Sequence, residues 1–252
     1  MTVHFVGAGP GAADLLTVRA TRQLAAADVV LYPGTYLDPE VLSHVSEGAE
    51  LIDTQHLTLD EITDHLVRAH EAGKDVVRLA SGDLTVYSAL SEQSRRLDAA
   101  GVPWDVTPGV PAYATAAAII GKELTVPGVA QSVVLTRTQA RSTKMPEGET
   151  LQAFAATGAT LVLHLAIRHT RRLMDELLPA HGADCPVVVV YRASQPDELV
   201  LRGTVATIAD QVEAAELSQA AVILVGRALG AHDGAESYLY DAHRERKNRP
   251  RD

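Results

Sequence analysis

The chain has 252 residues, 46% of them hydrophobic and 21% charged, with 18 Gly and 12 Pro, a composition that excludes disorder, collagen and coiled coil. A formal net charge of −10 argues against a nucleic-acid partner. The single cysteine, Cys185, excludes an internal disulfide or a cysteine-based metal cluster, and the ten histidines lack compact ligand spacing, so no metal is expected.

Strand and helix patterns alternate from the first residues. Val3–Val6 is a short apolar strand that runs into Gly7-Ala-Gly-Pro-Gly11. A helix is predicted from about Leu15 to Ala27, with Leu16, Ala20 and Leu24 on one stripe, then a buried strand over Asp28–Tyr32 that stops at Pro33-Gly34. Glu50–Asp53 reads as a third strand. Thr58-Leu-Asp-Glu61 forms a capping box that opens a helix with Leu59, Ile62, Leu66 and Ala69 on one face and Gly73 at its stop. Asp75–Ala80 is the next strand, followed by Ser81-Gly-Asp83 and a predicted helix from about Leu84 to Ala99. Trp104–Val106 leads to Pro108-Gly109, and Pro111 opens an alanine-rich helix that Gly121 closes.

After Pro127-Gly128 the alternation restarts. Strands are predicted at Ser132–Thr136, Thr160–Leu165, Pro186–Tyr191, Leu199–Arg202 and Ala221–Val225, with helices at about Glu149–Ala156, Ile167–Leu178 and Val205–Ala215. Only seven residues, Arg192–Glu198, join the third and fourth of these strands, too few for a crossover helix, so the two should be antiparallel neighbours. The fold class is therefore α/β, as two tandem domains: a mostly parallel sheet over 1–112, a boundary region at 113–131, a mixed sheet over 132–230, and a flexible tail at 231–252. No apolar run reaches 18 residues and the start carries no cationic leader, so a cytoplasmic protein without a membrane partner is expected.

Ligands bind at the carboxyl edge of parallel strands, which directs attention to Gly7–Gly11, Ser81–Asp83 and Pro108–Pro111. Glycines in such turns are expected to make room for a ligand. Gly7-x-Gly9-x-x-Ala12, with Asp28 downstream, formally fits a dinucleotide-binding loop and leaves an NAD(P)-dependent oxidoreductase open. Asp28 starts its strand rather than ending it, and Pro10-Gly11 breaks the turn where a pyrophosphate-binding helix should begin. A nucleotide sensor without catalysis is a third reading of the same loops.

Taken together, Val6-Gly-Ala-Gly-Pro-Gly11, Asp14-Leu-Leu-Thr-Val18, Ala27-Asp-Val-Val-Leu-Tyr32, Gly82-Asp83, Thr107-Pro-Gly-Val110 and Val225-Gly226 resemble the tetrapyrrole methylases, the class III S-adenosylmethionine-dependent methyltransferases. Ser81-Gly-Asp-Leu84, Pro108-Gly-Val-Pro-Ala112, Glu123-Leu-Thr-Val-Pro127, His164-Leu-Ala-Ile167 and Ala193-Ser-x-Pro-Asp-Glu198 are similar to the precorrin-4 C(11)-methyltransferase branch, which methylates a corrin precursor on the route to cobalamin. Two positions depart from the wider family: Leu84 replaces the proline of a common Gly-Asp-Pro, and Pro33 replaces an Asp of the uroporphyrinogen branch, which argues against uroporphyrinogen as substrate.

The resemblance implies a homodimer that binds S-adenosyl-L-methionine in the cleft between its domains. Carried over by motif, Pro10, Ser81, Gly82, Asp83, Val86, Pro111, Ala112, Leu165 and Ala193 are the expected cofactor contacts. A corrin precursor carries many carboxylates, and an acidic protein needs a locally positive site to hold one. Leu124–Met145 contains no acidic residue, so Arg137, Arg141 and Lys144 are the candidate substrate contacts. Asp83, His164 and His169 are considered as a proton acceptor, and no catalytic base is assigned.

Overall fold

Five short β-rich segments, the inner ones near-continuous apolar runs, build the first sheet. A computed structural model describes residues 1–34, 37–138 and 144–231. Within it, β1 (Val3–Gly7), β2 (Val29–Tyr32), β3 (Glu50–Asp53), β4 (Val76–Ala80) and β5 (Trp104–Thr107) lie in the order β3-β2-β4-β1-β5. Each adjacent pair is parallel. Successive residues point to opposite faces, so both faces need cover. Phe5 and Leu31 join Leu66 and Leu97 in one buried cluster, while Val6, Val30 and Leu79 join Ala20, Leu24 and Val41 in the other.

The covering helices are α1 (Val18–Ala26), α2 (Leu59–Glu71) and α3 (Leu90–Ala99), followed after β5 by α4 (Ala112–Ile119). Thr17 caps α1 by accepting the Ala20 amide at 3.1 Å. Both halves of the capping box on α2 are formed: Thr58 Oγ1 accepts the Glu61 amide and Glu61 Oε2 accepts the Thr58 amide. Those bonds hold the Glu61 carboxyl below its ordinary pKa. The predicted Leu84–Ala99 helix is shorter than expected, because its first six residues form a loop. Thr85 donates its amide and hydroxyl to Asp83 Oδ1, and the Ser88 hydroxyl donates to the Leu84 carbonyl. These local side-chain bonds compete with helical ones, and Tyr87 and Ala89 take left-handed φ of 58° and 56°.

The second sheet comprises β6 (Val133–Arg137), β7 (Thr160–His164), β8 (Pro186–Tyr191), β9 (Leu199–Thr204) and β10 (Ala221–Val225), in the order β6-β7-β10-β8-β9. It is mixed: β6 and β7 run parallel, β7 and β10 antiparallel. The neighbours expected from the short Arg192–Glu198 link, β8 and β9, are adjacent. Helices α5 (Leu151–Ala155), α6 (Thr170–His181) and α7 (Ile208–Ala214) accompany this sheet, whose core holds Leu161, Leu163, Leu173, Leu177, Val187, Ile208 and Ile223.

The described residues fall into two compact units, one within 1–119 together with 191–199 and the other within 120–190 together with 200–231. Residues 113–119, expected in the boundary region, group with the first unit as most of α4. Residues 191–199, expected in the second domain, also group with the first. Arg141 and, apart from Ala231, the expected tail lie outside the described residues. No described helix is long and apolar enough to cross a membrane.

Candidate functional site

All five strands of the first unit run parallel, so the loops that follow β1, β4 and β5 leave the sheet at one edge. The Gly7–Gly11 loop and the Ser81–Asp83 loop are stitched together by backbone bonds. Gly9 N donates to Gly82 O at 3.1 Å, Gly82 N donates to Gly9 O at 2.7 Å, and Ala8 N donates to Ala80 O at 2.8 Å. The third loop joins through Asp83, whose Oδ2 accepts the Gly109 amide at 3.0 Å.

The glycines explain how three backbones come this close. A Cβ on Gly7 would overlap the Gly109 backbone and lie 2.9 Å from the Gly82 carbonyl oxygen, and one on Gly109 would overlap that same oxygen. A Cβ on Gly11 would overlap the Gln195 side chain. The expectation that these glycines clear space for a ligand is thus corrected at Gly7, Gly11 and Gly109, where protein atoms occupy the space. Gly82 differs from them: at φ 69°, its added Cβ would meet only the Ala112 amide nitrogen, at 3.8 Å, an ordinary van der Waals contact. The Gly82 turn therefore faces the start of α4 at van der Waals distance, beside Pro111 and Ala112.

The segment 191–199 rests on the glycine loop. Ser194 Oγ accepts the Ala12 amide at 3.1 Å, and Gln195 Nε2 donates to the Pro10 carbonyl at 3.2 Å. Arg192 secures Gln195 through Nε to Oε1 at 2.7 Å and reaches Asp197 at 2.9 Å. Arg192 and Ser194 are both left-handed, with φ of 45° and 66°, and such backbone strain concentrates at functional sites. Sequence reasoning named Ala193 in this segment and missed Ser194 and Gln195, although both lie in the quoted Ala193-Ser-x-Pro-Asp-Glu198 motif.

The structure thus brings seven of the expected cofactor residues, Pro10, Ser81, Gly82, Asp83, Pro111, Ala112 and Ala193, onto one set of interlocked loops. Val86 follows in the loop after Asp83. Pro10, Gly82 and Ala193 are buried, whereas Ser81 is exposed and Asp83, Val86, Pro111 and Ala112 are partly exposed. Burial alone would raise the Asp83 pKa. The hydrogen bonds from Thr85, Gly109 and Leu84 outweigh it and hold the carboxyl below its ordinary range. An ionised carboxylate with both oxygens engaged braces its loop and is a poor proton acceptor.

The remaining candidates lie in the second unit. Leu165 follows β7, is 68% exposed and has a left-handed φ of 52°. Its carbonyl accepts the Thr138 hydroxyl at 3.3 Å, which ties it to the end of β6. Arg137 pairs with His164 in the parallel β6–β7 register, and burial pushes the His164 imidazole below its ordinary pKa. His169 ends a single 3-10 turn before α6. Arg137 and Lys144 line one cavity of about 520 Å³ with Thr138, Thr150 and Arg172. Glu147, Glu149 and Glu176 line it as well, so the positive field expected from the acid-free stretch is balanced by carboxylates from beyond it.

The dinucleotide reading does not fit this geometry. Asp28 Oδ2 accepts the Asp75 amide at 2.8 Å, at the start of β2 and therefore at the sheet edge opposite the glycine loop. No α-helix begins at that loop either, since residues 13–15 form a 3-10 turn and α1 starts only at Val18.

Comparison with known proteins agrees with this arrangement. The chain is 56% identical to a precorrin-4 C(11)-methyltransferase of Rhodococcus erythropolis, over 98% of this chain and 99% of that protein. Among solved structures it is similar to a cobalt precorrin-4 methyltransferase of cobalamin biosynthesis, with a TM-score of 0.87 and 38% identity over 90% of this chain and 95% of the other. It is also similar to a uroporphyrin-III C-methyltransferase from Thermus thermophilus complexed with S-adenosyl homocysteine, with a TM-score of 0.77 and 30% identity over 91% and 99% of the two chains. Residues 2–209 match the family of Tetrapyrrole (Corrin/Porphyrin) Methylases, and with more than half of its length matched this chain belongs to that family.

Proposed function

We propose that this protein transfers a methyl group from S-adenosyl-L-methionine to carbon 11 of precorrin-4, giving precorrin-5 in cobalamin biosynthesis. The observation that carries the reading is the set of interlocked glycine loops that brings Gly82 beside Ala112, in a chain 56% identical along its length to a precorrin-4 C(11)-methyltransferase. Metal-free precorrin-4 is preferred to its cobalt form because identity to the cobalt enzyme of known structure is lower, at 38%.

The residues suit the cofactor chemically. Val86, Pro111 and Ala112 offer an apolar wall of small side chains for an adenosyl group, and the loop backbones offer donors and acceptors. No cationic side chain stands among the nine proposed contacts, Pro10, Ser81, Gly82, Asp83, Val86, Pro111, Ala112, Leu165 and Ala193, and their one charged member, the Asp83 carboxylate, is held ionised. A sulfonium is therefore not repelled. The cofactor, when bound, supplies the activated methyl group and its leaving group. The work left to the chain is alignment and exclusion of water, which rigid backbone performs well because little reorganisation accompanies the reaction.

Arg137 and Lys144, with Arg141, are assigned to the carboxylates of the macrocycle. Working as a cytoplasmic homodimer belongs to the same proposal; light scattering of the purified protein checks the dimer, and cell fractionation checks the location. The deciding experiment supplies the protein with S-adenosyl-L-methionine and either precorrin-4 or cobalt-precorrin-4, and locates the new methyl by NMR. Methylation at carbon 11, faster on the metal-free ring, is expected. No transfer, or transfer to another carbon, refutes the assignment.

A further inference from the structure

Arg78 stands where an aliphatic residue would serve the fold better. It lies in β4, the central strand of the first sheet, with Phe5 and Leu31 as its register partners on either side, and both are fully buried. The Arg78 side chain itself is only 9% exposed, and among the described residues no carboxylate forms an ion pair with it. Desolvation pushes its pKa down to about 10. A buried cation without a counter-charge costs stability, and replacing it with an apolar residue of similar volume is often neutral or stabilising. Its presence needs a reason other than packing.

The hydrogen bonds supply one. Arg78 Nη1 donates to the Leu79 carbonyl at 2.6 Å, and Nε donates to Gln93 Oε1 at 3.1 Å. Gln93, 3% exposed on α3, then donates through Nε2 to the Ala89 carbonyl at 3.2 Å, and its own amide donates to the same oxygen at 3.2 Å. The Arg78 bond fixes the amide flip of Gln93, since a guanidinium accepts nothing and must face the oxygen. The NH2 group is thereby aimed at Ala89. That residue is the left-handed N-cap of α3, and its methyl side chain cannot cap; the neighbouring Ser88 hydroxyl accepts the Leu90 amide at 3.3 Å. Ala89 is also the last residue of the loop that starts at Ser81 and contains left-handed Gly82 and Tyr87.

We propose that Arg78 and Gln93 are positioning residues for methyl transfer: a buried relay that holds Ala89 in its left-handed conformation and so sets the Ser81–Ala89 loop in the shape that receives the methyl donor. The inference rests on the proposed seating of the donor at Ser81–Val86. Neither residue touches the donor; both act through the backbone of the loop. The relay explains why a guanidinium occupies the middle of an apolar sheet face, because no aliphatic side chain orients a buried amide.

The test titrates S-adenosylhomocysteine by calorimetry into the full-length wild type and the Gln93→Leu, Gln93→Glu, Arg78→Met and Gly82→Ala variants, with melting temperatures recorded in parallel. Gln93→Glu is the informative one. It keeps an acceptor for Arg78, now as an ion pair, but a carboxylate cannot donate to the Ala89 carbonyl. A role in folding alone predicts that Gln93→Glu binds like wild type. The relay predicts that affinity falls about tenfold or more in Gln93→Glu and Gln93→Leu while Gln93→Glu melts no lower than wild type, since sub-ångström misplacement of binding groups is costly. If Arg78→Met folds, it matches them; if it does not, the Gln93 pair decides. Wild-type affinity in both Gln93 variants, with Gly82→Ala weakened, overturns the relay and leaves the donor site standing. Wild-type affinity in all the folded variants, Gly82→Ala included, overturns the donor site and the relay together.

Discussion

A methyl group added at Gly7 tests the interlocked loops most directly. In Gly7→Ala the new carbon would lie 2.6 Å from Gly109 Cα and 2.9 Å from Gly82 O, whereas unstrained carbon contacts sit at about 3.5–4.0 Å. Both obstacles are backbone, so no rotamer change relieves them and the loops must part by about 1 Å. Overpacking of this kind costs about 1–3 kcal/mol, and an immovable backbone places Gly7→Ala near the upper end. At about 2–4 °C per kcal/mol for a chain of this size, the melting temperature should fall by about 5–10 °C. The same displacement separates Gly9 from Gly82, whose two mutual bonds at 2.7 and 3.1 Å join the two loops proposed to hold the donor, so S-adenosylhomocysteine affinity should fall at least tenfold. Gly48→Ala is the control, because an added Cβ there meets nothing within 4 Å and the φ is not left-handed. Calorimetric melting and ligand titration of both variants check the reasoning. A Gly7→Ala protein that melts within about 1 °C of wild type and binds the ligand normally would show that the loops do not pack as described.

Removing cations from the second-unit cavity, in Arg137→Ala and Lys144→Ala, should raise the KM for the tetrapyrrole several-fold and leave the KM for the methyl donor unchanged; steady-state kinetics with each substrate varied would detect the opposite pattern. Acid should weaken the fold through His181, which is 9% exposed with both ring nitrogens unpartnered, and whose pKa burial and then Arg227 push below 6.5. Below pH 6.5 the unfolded chain takes up the proton first, so stability present above that pH is lost as pH falls toward the folded-state value. Urea midpoints at neutral and mildly acidic pH should therefore diverge less in His181→Leu than in wild type, and equal divergence would exclude His181 as a source. Cys185 is buried and its thiol is pushed up chiefly by that burial, so it should react with a disulfide reagent only as fast as the fold opens. Rapid labelling of the native protein would contradict its placement.

The elements most legible in the sequence are those whose determinants are local. Thr58 and Glu61 announce a helix start through bonds three residues apart, and the apolar strands that end in glycine or proline turns stand where their pattern predicts. What escaped depends on distant partners or on competition within a loop. Gln195 is an ordinary polar residue until its amide meets the Pro10 carbonyl, 185 positions away. Arg78 is one charge inside a β-branched run, and only the three-dimensional proximity of Gln93 gives it a role. Residues 84–89 carry helix-compatible side chains, but Asp83, Thr85 and Ser88 satisfy one another and the backbone locally, so the helix starts at Leu90. The acid-free stretch around Arg137 and Lys144 showed cations correctly but stopped just short of Glu147 and Glu149, and only folding brings Glu176 to the same cavity.

The joining of Gly7, Gly82 and Gly109 has a consequence for how this protein tolerates change. Where three main chains meet without side chains between them, the shape of the surface is written by peptide groups that every sequence shares. Drift at neighbouring positions can recolour the surroundings but cannot reshape that patch, short of enlarging one of the three glycines. Selectivity for the methyl acceptor can therefore diverge through side chains elsewhere while the floor beneath stays as it is.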